Sequence, residues 1–309
     1  MTQAATPTAD TVRRLVRSLL PDSGGPAIRP AGGGGEHSTW FVGSRHVLRL
    51  APDRDASLKQ RRELRLRDLV RPHIGVALPA SIAHGEWASG LTYTLDTLIP
   101  GGSGERLDVS AVGEADLAGL LTGLREVPAR QAETLGVPHT APRSLEELRA
   151  AAGPAAEQLG AADEFDPARL LQLTAPAALQ LAAQPGSAVL VHHDLTGEHL
   201  VVAADGRVRG VLGWAETAVG DPAEDIAGLA VAVGAPAAVR AATLAGYGAR
   251  PCLRGLWLAR CDALTALADR LRSGDTAALP LLRTRLVRSW EPILLERVTE
   301  FRDDADGPP

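Results

Sequence analysis

The chain has 309 residues, is 45% hydrophobic but only 3% aromatic, and carries a formal charge of −5. That length suits one two-lobed domain or two small ones with ample core. The weakly acidic balance gives no general affinity for nucleic acid, and no apolar run reaches the roughly 18 residues of a membrane span.

Residues 1–9 are polar, show no signal-peptide pattern and are expected to be disordered. Asp10 is placed to cap a helix carrying Val12, Leu15, Val16 and Leu19 on one face. The run Gly32–Gly35 precedes a strand at Thr39–Val42, a turn at Gly43–Arg45 and a strand at His46–Leu50. A glycine-rich turn before a hairpin can present backbone N–H groups to a phosphate, or it can be a plain flexible loop. Asp55–Val70 reads as a helix with Leu58, Leu64, Leu66 and Leu69, and it holds the only lysine, Lys59. Strand-like segments follow at Val76–Leu78, Ser81–Ala83 and Leu91–Leu95, and the pattern breaks at Asp96–Gly102. Beyond this the chain turns helical. Leu117, Leu120, Leu121 and Leu124 share a face up to Pro128, and Ser144 with Glu147 forms a capping box opening a helix through Ala151. Phe165–Ala183 reads as one apolar helix. Further helices are expected from Ile226 to Val233, from Gly255 to Leu271, and from Leu279 to Thr299 with a break at Pro292. Asp303–Pro309 is a polar tail. Cys252 and Cys261 match no zinc spacing and read as buried thiols of a reducing cytoplasm. The segments sort into a β-rich half near 20–98 and a helical half near 102–303.

The chemistry concentrates in Val189–Leu229. The apolar run Val189–Val191 leads into His192-His193-Asp194-Leu195. A second run, Leu200–Val202, a turn at Asp205-Gly206 and a third run, Val208–Leu212, form a hairpin. Gly213-Trp214-Ala215-Glu216 follows, then Gly220-Asp221-Pro222-Ala223-Glu224-Asp225. This is the spacing of a kinase catalytic loop: an Asp for the acceptor hydroxyl, a metal ligand five residues on, and a second metal ligand after the hairpin.

These motifs resemble the aminoglycoside and macrolide phosphotransferases, which have a protein-kinase-like fold. The resemblance implies an α+β, two-lobed architecture: a small β-rich nucleotide-binding lobe at 1–98 and a larger helical catalytic and acceptor-binding lobe at 99–309. It implies a cytoplasmic enzyme, a monomer or homodimer, with no nucleic-acid or membrane partner. ATP or GTP would phosphorylate a hydroxyl of a small molecule, an antibiotic above all. By the same resemblance Asp194 is the catalytic acid–base residue and His192 braces its loop. Arg49, paired with Glu63, together with Ser38 lies at the nucleotide, and the backbone of Thr97, Leu98 and Ile99 is the hinge that holds the base. His199 stands at the first metal position, in the manner of the macrolide branch. It would hold Mg²⁺, though a His ligand suits Mn²⁺ better. Asp221 and Asp225 are structural acids that cap the next helix and tie down the loop. The chain departs from the pattern at Gly213, where the family has its second metal-binding Asp, and Glu216 is the candidate to compensate. Restoring the acid, Gly213→Asp, is expected to raise transfer with little change in fold. Asp262 and Glu291 are candidates to meet a polyhydroxyl or cationic acceptor.

Two alternatives stand beside this reading. One is a kinase of a metabolite such as homoserine, a choline-like compound or a sugar. The other is a binding protein of pseudokinase type, which Gly213 favours. No nucleophile-elbow motif and no Walker-A loop is present, which argues against α/β-hydrolases and P-loop enzymes.

Overall fold

The computed structural model describes residues 7–31 and 38–294. Residues 1–6, the glycine run with Glu36 and His37, and everything from 295 onward, including the polar tail, lie outside the described residues.

The first half is built on an antiparallel sheet. Helix α1 (Ala9–Leu19) is capped by Thr8, not by Asp10, which sits in the first turn and pairs with Arg13. Its buried residues, Val12 and Val16, are one turn apart. The strands are β1 (Ile28–Pro30), β2 (Ser38–Val42) and β3 (His46–Leu50), then β4 (Ser81–Ala88) and β5 (Leu91–Thr97). They lie in the order β1-β2-β3-β5-β4, and a small core of Val42, Leu48, Leu50, Tyr93 and Leu95 packs on α1. Helix α2 (Arg54–Val70) connects β3 to β4. Asp53 Oδ1 caps it by accepting from Ala56 N–H at 2.8 Å. Its inward face is partly polar, with Gln60, Glu63 and Arg67 buried, whereas Leu58 is 62% exposed. The segment Val76–Leu78 is not a strand of this sheet. Ala77 instead exchanges backbone hydrogen bonds with Arg209 and Val211 at 2.9 and 3.0 Å, tying the first half to the second.

The second half is helical around two short strand pairs. After β6 (Gly102–Ser103) come α3 (Ala111–Glu126), α4 (Ala129–Thr134) and α5 (Leu145–Ala161). Ser144 Oγ caps α5 as the capping box requires, accepting from Glu147 N–H at 3.3 Å. The helix runs ten residues past Ala151 and carries Pro154 inside it. Phe165–Ala183 is not one helix. Pro167 and Pro176 each start a separate short piece, a 3₁₀ turn and α6 (Ala175–Gln180), because proline is tolerated only in a first turn. Strand β7 (Val189–Val191) pairs with β10 (Ala218–Gly220), while β8 (Leu200–Val202) and β9 (Val208–Val211) form the expected hairpin, with β6 on its edge. Helices α7 (Ala223–Val233), α8 (Ala235–Leu244), α9 (Ala249–Ser273) and α10 (Leu279–Ser289) follow. Helix α10 ends at Ser289, before Pro292, and residues 295–299 of the expected stretch lie outside the described residues. The large core joins α3, α5, α7, α8 and α9 and includes Trp214, Cys252 and Cys261.

Helix α3 crosses the 73–74 turn at Gly123, where an added Cβ would overlap the His73 carbonyl and Ile74, whereas the exposed Gly119 has open space around it. Gly123→Ala is expected to cost about 1–3 kcal/mol in urea unfolding by overpacking. Gly119→Ala on the same helix is expected to add up to about 1 kcal/mol through helix propensity.

Candidate active site

The catalytic-loop motif leaves β7 as a fixed turn. Asp225, at the start of α7, accepts His192 N–H and His193 N–H, each at 2.8 Å, one on each carboxylate oxygen. It therefore ties down the loop. Asp221 accepts from Ala223 N–H at 3.0 Å and from Arg254 at 2.5 Å. His192 is fully buried, edge-on to Trp214 with ring centroids 4.7 Å apart. Its Nε2 donates to the Leu212 carbonyl at 2.8 Å, and its Nδ1 accepts from Asp194 N–H at 3.3 Å. That pattern requires the neutral ring. Burial, with repulsion from His199, lowers its pKa to about 3. His193 has φ 70°, a left-handed conformation that costs an ordinary residue roughly 1–2 kcal/mol.

Asp194 follows, 39% exposed. His199 Nδ1 lies 2.8 Å from its carbonyl oxygen and 3.4 Å from its carboxylate. A carbonyl only accepts, so Nδ1 is the donor of this bond. Gly213 sits against that ring. Its φ and ψ are 78° and 38°, and a Cβ built on it would lie 2.5 Å from His199 Nε2 and Cδ2. This corrects the expectation for Gly213→Asp. The new side chain would drive into an imidazole tethered at its other nitrogen, so restoring the acid alone disturbs the loop. Glu216 is 49% exposed and pairs with Lys59 of α2 at 2.8 Å. Beside it Arg62 donates to the Ala215 carbonyl at 2.6 Å.

On the sheet, Arg49 of β3 meets Glu63 of α2 at 2.9 Å. Sequence reasoning missed the rest of this cluster. Asp96 of β5 lies 3.4 Å from Arg49 and 3.2 Å from Arg67, which is itself 3.9 Å from Glu63. Two guanidiniums and two carboxylates thus balance in a nearly dry pocket. The pattern that could have revealed Arg67 is its i+4 spacing from Glu63; Asp96 carried no signal. The hinge segment is partly committed. Thr97 N–H donates to the Ala80 carbonyl and Leu98 N–H to the Arg45 carbonyl, both at 2.8 Å. Of the three, only Ile99 N–H has no partner among the described residues. Ser38 Oγ accepts from Trp40 Nε1 at 2.8 Å.

Asp194 opens on a cleft of about 230 Å³ between its loop and helices α7, α9 and α10. Three carboxylates, Asp194, Glu224 and Asp262, and two guanidiniums, Arg143 and Arg285, line it. Arg143 grips Glu224 and Asp262 at once, at 2.7–2.9 Å, and Arg285 reaches Glu105 at 2.7 Å. Asp262 is therefore in the cleft but already paired. Glu291 lies apart from it, against Gly234. A larger hollow of 610 Å³, lined by Leu179–Ser187 and Arg250, is away from Asp194.

The residues do not fit the pair of Mg²⁺ ions that kinase chemistry implies. Gly213 brings no ligand, Glu216 is held by Lys59, and His199 offers one nitrogen to a metal that prefers oxygen. Among the described residues no group of three or more His, Cys, Asp or Glu side chains is placed to hold a metal.

The buried loop acids set a pH test. Burial raises the Asp225 carboxyl to about 7, against the pull of its two N–H donors. A folded value above the ordinary 3.8 gives stability that is full below 3.8 and lost as pH rises through 7. His192, lowered from 6.5 to about 3, behaves oppositely: its contribution is present above 6.5 and lost as pH falls toward 3. Asp225→Asn removes the first effect only. The stability gap between the two proteins is expected to widen by up to about 1.4 kcal/mol per unit as pH falls from about 7 to about 4, read from urea midpoints. A gap independent of pH would mean that the carboxyl stays ionised throughout.

A model described as the phosphotransferase enzyme family matches residues 27–256. None of the curated proteins matches the chain. Among solved structures, it aligns with the GDP complex of aminoglycoside 2'-phosphotransferase-IIIa at a TM-score of 0.66 and 18% identity, over 89% of this chain and 96% of that one. A macrolide 2'-phosphotransferase of Brachybacterium faecium gives 0.59 and 23%, over 92% and 100%. A type I macrolide 2'-phosphotransferase gives 0.56 and 20%, over 93% and 99%. These likenesses show a kinase-like fold, with a sheet-based N-terminal region and a helical C-terminal region, and the family match, which spans most of the chain, carries the catalytic-loop motif, the hairpin and the Asp221–Asp225 segment. The chain belongs to the phosphotransferase enzyme family.

Proposed function

We propose that this protein is a cytoplasmic small-molecule O-phosphotransferase that uses ATP or GTP and acts on a hydroxyl of an antibiotic of aminoglycoside or macrolide type, as a monomer or homodimer. The observation that carries the reading is Asp194. It stands half-exposed at the mouth of an acidic cleft, on a loop fixed from beneath by His192 and Asp225. Both antibiotic classes bear amines, and three carboxylates against two guanidiniums suit a cation. In this reading residues 1–98 form the nucleotide lobe and 99–309 the catalytic and acceptor lobe. The base lies at Ile99 N–H, and Arg49 and Ser38 approach the phosphates. Asp194 orients the acceptor hydroxyl and takes its proton as the oxygen bonds to the γ-phosphorus and the β–γ bridge breaks. Because this transfer needs little covalent help, positioning by the braced loop is the main contribution of the protein. The cleft volume of about 230 Å³ is below the roughly 300–1,000 Å³ of sites that enclose drug-sized ligands, so it suits one ring of a larger acceptor, or a small metabolite.

A second reading is favoured by Gly213: nucleotide or acceptor is bound and no phosphoryl group is transferred. Thermal shift with ATP and GTP, followed by turnover on a panel of aminoglycosides, macrolides and small polyhydroxyl metabolites, separates the two. Turnover is expected, and Asp194→Asn should lower kcat by roughly 10²–10⁴ while keeping the nucleotide-induced stabilisation. Stabilisation without turnover on any acceptor would favour the second reading. Unchanged kcat in the variant would remove Asp194 from the chemistry.

A further inference from the structure

We propose that this protein binds its nucleotide without help from a divalent cation, and that His199 and Gly213 are the interlocked pair responsible. The inference rests on the nucleotide-site reading above and concerns what the phosphates meet there.

A kinase-type site draws its metals from two side chains, one on the catalytic loop and one after the next hairpin. Here the two positions exclude each other. The His199 ring occupies the volume that any side chain at 213 would need, since a Cβ there would lie within 2.5–2.8 Å of three ring atoms. The ring cannot simply swing away, because Nδ1–H is bonded to the Asp194 carbonyl at 2.8 Å. Nε2 is the ring nitrogen on the Gly213 side. A single ring nitrogen is a poor substitute for the carboxylate oxygens that Mg²⁺ requires. Glu216, the acid three residues past Gly213, is drawn toward α2 by Lys59 at 2.8 Å. Asp194 is the carboxylate beside the His199 ring, at 3.4 Å, and no group of three or more His, Cys, Asp or Glu side chains is placed to hold a metal among the described residues. A cation carried in on the nucleotide would therefore gain almost nothing from the protein. Its presence and its absence should give similar affinity.

The pairing also says what would restore metal dependence. His199→Asn shortens the side chain and clears the space beside Gly213. Gly213→Asp then has room for a carboxylate facing an amide oxygen. Only the double variant brings both oxygen donors without the collision.

Isothermal titration with ATP and with GTP, in EDTA and in Mg²⁺, tests this without reference to turnover. For the unmodified chain the two dissociation constants are expected to agree within about threefold, and for H199N/G213D Mg²⁺ is expected to tighten binding by about tenfold or more. Tenfold tightening by Mg²⁺ in the unmodified chain would overturn the proposal and leave the nucleotide site standing. A double variant that binds nucleotide and remains indifferent to Mg²⁺ would overturn the role given to the pair. No binding of either nucleotide in either buffer would overturn the nucleotide-site reading itself, and this proposal with it. Should the double variant not fold, the comparison on the unmodified chain still decides the first claim.

Discussion

Glu63 is 1% exposed, and a charge that deep is costly unless it is paired and hydrogen-bonded. Its partners come from two directions. Arg49 reaches it from β3 and Arg67 from one turn along α2, and Asp96 on β5 closes the set. The helix is thereby fixed in rotation against the sheet. The same helix faces the other half of the molecule through Lys59 and Arg62, which hold Glu216 and the Ala215 carbonyl. Register at the sheet and register at the 213–216 segment are therefore one constraint. Removing a single member of the buried cluster would leave its partner uncompensated, which typically costs 3–5 kcal/mol, roughly half of a domain's net stability.

The catalytic loop follows a different logic. Its backbone is held by one carboxylate, Asp225, and its interior by a neutral imidazole whose two nitrogens each have an assigned role. Nothing in that arrangement depends on a metal. The loop keeps the geometry suited to presenting Asp194 even though the position that would complete the metal site is Gly213. The loop keeps its brace without a ligand at 213, because Asp225 holds its backbone and His192 bonds the Leu212 carbonyl and Asp194 N–H.

Much of this was legible in the sequence. The two-lobe order, the α2 helix, the β8–β9 hairpin and the cluster at His192–Asp194 follow from spacing within short windows. The Arg49–Glu63 pair could be anticipated from the resemblance, because kinase-like enzymes pair a strand cation with a helix Glu. The Ser144 capping box was likewise local and correct in its start. Its end was not legible, since α5 runs on through the exposed Pro154 while its buried face packs against α9, and no local signal records that contact. Phe165–Ala183 failed for the opposite reason: apolar residues suggested one helix, while two prolines limited it to short pieces.

What the sequence determined by itself was most of the elements and most of the chemistry-bearing residues, because periodicity, caps and motif spacing act over a few turns of chain. What only the tertiary structure decided was which of those residues meet. Asp96 joins Arg49 through sheet pairing. Asp225 turns back to the loop. Leu58 points outward while Gln60, Glu63 and Arg67 turn in. His199 takes the space at Gly213. Each of these is set by contacts between distant segments, where burial forces polar groups to find partners and two side chains cannot share one volume.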